Sequence, residues 1–255
     1  DGEHGAIITE ETPFYGTMGG QIGDIGCIQI GCTEAPDAFF EVQSTEHVGG
    51  NKIAHIGVVR KGMLKLGDTV TLKVDEKNHL ATCRNHSATH LLQKALREVL
   101  GTHVEQAGSY QDAGRTRFDF SHFQAMTKEE LAKVEDMVNE KIQEGLEVRT
   151  DVMSLEEAKK SGAMALFGEK YGAEVRVVRM GDFSTELCGG THVKNTLQIG
   201  QFKILSETGV AAGVRRIEAL TGDNVRKYYE NLEHEMNEAA ELVKATPQTL
   251  KEHIQ

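Results

Sequence analysis

Two pairs of metal-binding side chains, far apart in the chain, set the strongest limit on how it can fold. The stretch Arg84-Asn85-His86-Ser87-Ala88-Thr89-His90-Leu91-Leu92 spaces two histidines four residues apart. On a helix that spacing puts both imidazoles on one face, one turn apart. Far downstream, Cys188-Gly189-Gly190-Thr191-His192 offers a thiolate and a third imidazole. Each part has a plainer reading of its own. A His-x3-His pair reads as two half-buried histidines with local hydrogen bonds, Cys188 as a buried thiol and His192 as a surface histidine. Together the four have the type and number of a tetrahedral zinc site. It is not the zinc-protease motif, because Ser87 stands where that motif needs a glutamate base.

Around these pairs the hydrophobic patterning divides the chain in three. Residues 1–80 hold short alternating or apolar runs, such as Gly26-Cys27-Ile28-Gln29-Ile30 and Thr69-Val70-Thr71-Leu72-Lys73-Val74, between glycine-rich turns. They predict strands closed into a small β-barrel, since closure leaves no exposed edge. Thr12–Gln21, with three glycines close to aromatics, reads as tight turns either in a loop at the barrel rim, the plainer reading, or against a ligand, and Gly19-Gly20-Gln21 resembles the tripeptide by which release factors hydrolyse peptidyl-tRNA. Residues 81–222 mix helices and strands. Asn85 can cap a helix that Gly101 ends. Thr127-Lys128-Glu129-Glu130 and Ser154-Leu155-Glu156-Glu157 are capping boxes opening two more helices. Strands are expected at Val148–Val152, Val175–Met180, Ile199–Leu205 and Gly213–Leu220, the last two joined around Gly209. From Asp223 apolar residues recur at helical spacing until Pro247, so 223–255 is expected to be a C-terminal helix leading to a further domain. The predicted class is α+β: a small N-terminal barrel, a two-layer α/β sandwich carrying the zinc site, and the terminal helix.

Composition narrows the partners. No apolar run is long enough to span a membrane, and the polar start carries no secretory signal. The start also lacks an initiator methionine, which suggests a piece of a longer protein. Four cysteines in 255 residues are too sparse for a disulfide framework and point to a reducing, cytoplasmic setting. The net charge of −11 argues against a strongly nucleic-acid-binding surface. Residues 81–222 are nevertheless close to balance, with 20 acidic and 18 basic groups. RNA contacts would thus be scattered, with Arg215 and Arg216 as candidates for a phosphate, or would lie on another domain.

The strings Arg84–Leu92, Gln106-Ala107-Gly108-Ser109, Arg117-Phe118-Asp119-Phe120-Ser121-His122, Cys188–Val193 and Gly209–Glu218 resemble the editing region of bacterial alanyl-tRNA synthetase. Thr12–Gly26 resembles the β-barrel that precedes that editing domain, so the resemblance covers essentially the whole chain in order. The free-standing AlaX trans-editing proteins share the core. The resemblance implies zinc on His86, His90, Cys188 and His192. It also implies hydrolysis of the ester in tRNA(Ala) mischarged with serine or glycine. Gln106 matches a position at the editing pocket. Gly189, Gly190 and Thr191 are candidates for the catalytic loop, their backbone N–H groups facing an oxyanion. Arg84, Thr89, Arg215 and Arg216 are candidates for substrate binding. Thr17 departs from the glutamate frequent in the family, and Gln93 also differs. Partners implied are the tRNA, the rest of a synthetase chain, and a second copy through a C-terminal region. Two other readings stand beside this one: a zinc-stabilised tRNA-binding module without catalysis, and a free-standing trans-editing protein. No motif for adenylate formation is present.

Overall fold

The structure, a computed structural model, describes residues 2–32, 34–49, 52–163 and 172–254. The N-terminal part is an antiparallel sheet of β1 (His4–Ile8), β2 (Gly26–Gly31), β3 (Pro36–Val48), β4 (Lys52–Lys61) and β5 (Thr71–Val74), ordered β1-β4-β3-β2-β5. Phe14, Ile28, Phe40 and Val42 form its core, with Ile7 from one edge strand and Leu72 and Val74 from the other packed against them. The ladder that would close a barrel, between β1 and β5, is absent among the described residues. Ile7, Leu72 and Val74 pack against the same apolar core, and the expected small barrel is not confirmed by a closing ladder among the described residues.

Helix α1 (Glu76–Leu100) follows directly. Its cap is Asp75, whose carboxylate accepts the Asn78 N–H, and the helix therefore starts well before the expected Asn85. Asn85 lies inside the helix and fully buried. It donates to Asp112 O at 2.7 Å and accepts from the Thr221 hydroxyl at 2.7 Å. Ala88, Leu91, Leu92, Ala95 and Leu96 form the helix's apolar face and are wholly buried.

That face packs on α2 (Lys128–Gln143) and on a four-stranded antiparallel sheet. The sheet is formed by β6 (Gln106–Gln111), β7 (Thr116–Ser121), β11 (Phe202–Ala211) and β12 (Val214–Thr221), ordered β11-β12-β7-β6. A three-stranded antiparallel sheet of β8 (Val148–Ser154), β9 (Glu174–Met180) and β10 (Ser184–Leu187) completes this part, with α3 (Leu155–Lys160) against it. One core runs through it, from Leu91 and Leu96 to Phe118, Phe120, Val134, Ile217 and Met180. Both predicted capping boxes are present, at Thr127/Glu130 and Ser154/Glu157. Removing the first by Thr127→Ala is expected to cost about 1 kcal/mol. Thermal unfolding should read this as a fall of about 2–4 °C.

The chain continues into α4 (Asp223–Leu242) and, beyond Pro247, α5 (Leu250–Ile254). Ile199 ends a 3₁₀ turn rather than opening a strand, and β11 runs through Gly209 to turn at Gly213, where φ is 71°. No described helix is long and apolar enough to cross a membrane.

Candidate metal centre

Helix α1 carries His86 and His90 on one face, their rings stacked 5.3 Å apart. Strand β10 ends at Leu187, and the chain then turns sharply so that Cys188 and His192 meet those rings. Gly190 makes the turn fit: a Cβ there would lie 2.1 Å from His86 Cε1. Arg176 on β9 ties the turn down, donating from Nη1 to the carbonyls of Gly189 at 2.6 Å and Gly190 at 2.8 Å.

The four donor atoms lie within 4.8 Å of one another, so this group could hold a metal. Cys188 Sγ is 3.4 Å from His86 Nε2 and 3.3 Å from His192 Nε2. Zinc–sulfur and zinc–nitrogen bonds at a tetrahedral angle would set such atoms about 3.5 Å apart. Among the described residues His90 Nε2 is buried without a hydrogen-bond partner, a cost that a metal ligand would not incur. The other nitrogen of each ring is held: His86 Nδ1 by Gln21 Oε1 at 2.7 Å, His90 Nδ1 by Glu186 Oε2 at 2.6 Å, and His192 Nδ1 by Ser87 Oγ at 3.3 Å. Such outer hydrogen bonds orient ligating imidazoles. Burial disfavours the Cys188 thiolate, but the surrounding imidazoles of His86, His90 and His192 outweigh it and hold the thiol well below its usual range. Burial and the neighbouring His86 push His192 down to about 3, which keeps its ring neutral. The Gly190 N–H adds a contact to the sulfur at 3.4 Å. The residues present thus fit a thiophilic divalent ion.

Beside this cluster is a cavity of about 130 Å³. Its wall includes His86, His90, Cys188, Gly189 and Gly190, joined by Thr89, Gln106 and Ser109. Of the residues singled out in the sequence, Gln106 faces this space and bonds Ser109 Oγ at 3.3 Å. Thr89 also lines it, with its hydroxyl donated to Asn85 O at 2.8 Å. Thr191 does not line it. Its backbone and hydroxyl both bond Gln21, and its hydroxyl also bonds Cys83. Arg84 donates to Gln198 O and faces a different cleft. Arg215 and Arg216 form two-pronged ion pairs with Glu207 and Asp119.

Several contributors were not legible in the sequence. Glu186 and Arg176 had no motif of their own, and Ser109 stood in a resembling string without a role assigned to it. Tyr15, Met18 and Gly19 reach the cavity from the glycine-rich loop, for which the plainer expectation was the rim of the N-terminal sheet. Burial and the Cys188 thiolate push the Tyr15 phenol well up, so it stays an O–H, donated to Met18 O at 3.1 Å. The signal was the run of glycines. Gly20, at φ 87°, has no room for a Cβ against Ser109 O, 2.5 Å away, which is what lets the loop reach the other half of the molecule.

Two family profiles match the chain. One, described as the threonyl and alanyl tRNA synthetase second additional domain, covers residues 175–218. The other, described as tRNA synthetases class II (A), covers residues 1–78. Alanine–tRNA ligase 1 of Lachnoclostridium phytofermentans is 60% identical over 254 residues, which is 100% of this chain and 28% of that protein. The alanine–tRNA ligase of Neisseria meningitidis serogroup B is 55% identical over 91% of this chain and 26% of its own length. That of Clostridioides difficile strain 630 is 49% identical over 100% of the chain and 28% of its own length. The chain therefore spans between a quarter and a third of these curated relatives.

Proposed function

The chain is related along its whole length to bacterial alanine–tRNA ligases, and from that premise we propose that it is an editing segment that hydrolyses the ester joining serine or glycine to tRNA(Ala). The observation that carries this reading is the small cavity of mixed polar and apolar lining, walled by the candidate metal-binding cluster together with Gln106, Ser109 and Thr89. An alanine-activating pocket cannot exclude glycine, which is smaller, and it rejects serine poorly. A separate polar cavity can bind serine's hydroxyl and cut the ester.

In the reaction water adds to the ester carbonyl, the bond to the ribose oxygen breaks, and that oxygen leaves as a hydroxyl. Gln106 and Ser109 supply the polar wall for the amino acid's side chain. Of the two glycine N–H groups expected to face the oxyanion, that of Gly190 is engaged by the thiolate, so the role passes to Gly189. Thr191 acts behind the loop rather than on substrate. Zinc held by His86, His90, Cys188 and His192 would supply a fixed positive charge beside the ester. Arg84, on a separate cleft, is a candidate contact for the body of the tRNA, whereas Arg215 and Arg216 are engaged by Glu207 and Asp119. Cytoplasmic location, association with the remainder of a synthetase chain, and dimerisation through a C-terminal region belong to the same proposal.

The test is deacylation of Ser-tRNA(Ala) beside Ala-tRNA(Ala), with zinc measured on the same sample. Fast loss of serine and slow loss of alanine are expected. Gln106→Leu should lower serine release about tenfold, the worth of one lost hydrogen bond, while zinc content and Tm stay unchanged. Intact serine esters in the presence of a zinc-loaded chain would overturn the reading in favour of a metal-stabilised RNA-binding module.

A further inference from the structure

One residue of the loop between β1 and β2 reaches across to the candidate metal cluster. Gln21 is fully buried, and its loop is pinned to β6 on both sides, by Gln111 N–H to Gly20 O at 2.8 Å and Ile22 N–H to Gln111 O at 2.9 Å. Its amide has an assignable orientation. The Thr191 backbone N–H can only donate, and it meets Gln21 Oε1 at 2.9 Å. That atom is therefore the carbonyl oxygen. The same oxygen lies 2.7 Å from His86 Nδ1. An oxygen acceptor there requires His86 to carry a hydrogen on Nδ1, which makes Nε2, facing Cys188, the nitrogen able to ligate a metal. The amide's other end donates to Thr191 Oγ1 at 2.8 Å.

Thr191 is itself backed by a directional chain. Cys83 donates to Thr191 Oγ1 at 3.1 Å, and Cys83 Sγ faces His79 Nε2 at 3.4 Å. His79 Nδ1 faces Asp24 Oδ1 at 2.8 Å. Asp24, 2% exposed, also accepts the Tyr15 N–H at 2.8 Å. With a donor needed at both ring nitrogens, His79 is an imidazolium, and its contacts to Asp24 and Cys83 raise its pKa to about 10. Every hydrogen in the series points so as to keep Gln21's oxygen toward His86.

We propose that Gln21 is a positioning residue for the metal centre, fixing His86 in the Nδ1–H form through its carbonyl oxygen while Thr191, backed by Cys83, His79 and Asp24, holds the amide in place. The proposal rests on the metal-binding part of the reading above and not on deacylation, so its tests use zinc and cobalt(II) alone, without tRNA. Nitrogen-15 NMR of the zinc-loaded native chain should report His86 with hydrogen on Nδ1 and metal on Nε2; the reverse arrangement overturns the proposal. Gln21→Met removes the acceptor at similar length and should raise the zinc dissociation constant 10- to 100-fold, with a shifted cobalt d–d spectrum. Gln21→Glu keeps an acceptor for both N–H groups and should restore affinity to within about threefold of native, a smaller change than loss of an orienting partner causes. Native affinity and spectrum in Gln21→Met would sink the idea, as would equal losses in both folded variants, which would assign the residue to packing alone. A native chain that takes up neither ion overturns the metal reading and this proposal together, whatever the deacylation assay shows.

Discussion

Replacing Cys188 by alanine is expected to strip the metal and to slow release of serine from Ser-tRNA(Ala) by well over a hundredfold. Cys188 is the only anionic donor among four that converge within 4.8 Å. The other three are imidazoles on a buried helix face and loop, and they cannot hold a divalent ion as tightly without the thiolate. Loss of a single outer partner of a metal ligand already costs about 10- to 100-fold, and loss of a ligand removes a bond as well as its orientation. The zinc-free variant should also unfold at lower temperature, because an ion that binds only the folded chain stabilises it by mass action. The measurement is metal content, Tm and single-turnover deacylation on one preparation. Native rates in metal-free variant protein would remove the metal from the reaction.

Gly190→Ala is expected to be nearly as damaging although it deletes nothing. The added methyl would sit 2.1 Å from His86 Cε1, 2.4 Å from His86 Nδ1 and 2.8 Å from Gln21 Oε1. Neither neighbour is the loose end of a flexible side chain. His86 is stacked on His90 and bonded to Gln21, and Gln21 is fully buried. One of them must leave its place, and both orient the centre. Overpacking of this kind costs about 1–3 kcal/mol, which for a chain of this size lowers Tm by several degrees. Metal affinity should fall by at least the 10- to 100-fold of a displaced orienting partner. Gly189→Ala is the control. Its Cβ meets only the terminal methyl of Met18, at 3.1 Å, which can swing aside. Equal zinc affinity in the two variants would show that the turn at Gly190 has slack the geometry denies.

The ligand set was legible because each pair is local: four-residue spacing on a helix, and four-residue spacing across two glycines. The helices announced by capping boxes were legible for the same reason. What the sequence hid was long-range or non-periodic. Helix α1 starts at Glu76, where Asp75 supplies the cap, but residues 76–84 carry no apolar stripe to mark them as helical. Asn85 was misplaced as the cap because its true partners, Asp112 and Thr221, lie on other elements. Barrel closure depends on whether β1 and β5 meet edge to edge, which alternation along each strand does not encode. Arg215 and Arg216 looked available for phosphate because nothing nearby in sequence reveals that Asp119 lies across the sheet from Arg216. Glu186 was overlooked because a carboxylate beside a ligand is recognised only once its bond to His90 is seen.

The bonds that complete the centre join positions 65, 102 and 170 residues apart, from Gln21 to His86, from His86 to Cys188 and from Gln21 to Thr191. A ribosome delivers these pieces in that order. Cys188 and His192 arrive late, more than a hundred residues after Gln21 and about a hundred after His86 and His90. Until that point the helix offers two imidazoles without the thiolate, half of the set that converges in the folded chain. A set of four donors that converge within 4.8 Å is thus complete only when parts of the chain far apart in sequence have come together, so a metal bound there would report on the whole fold.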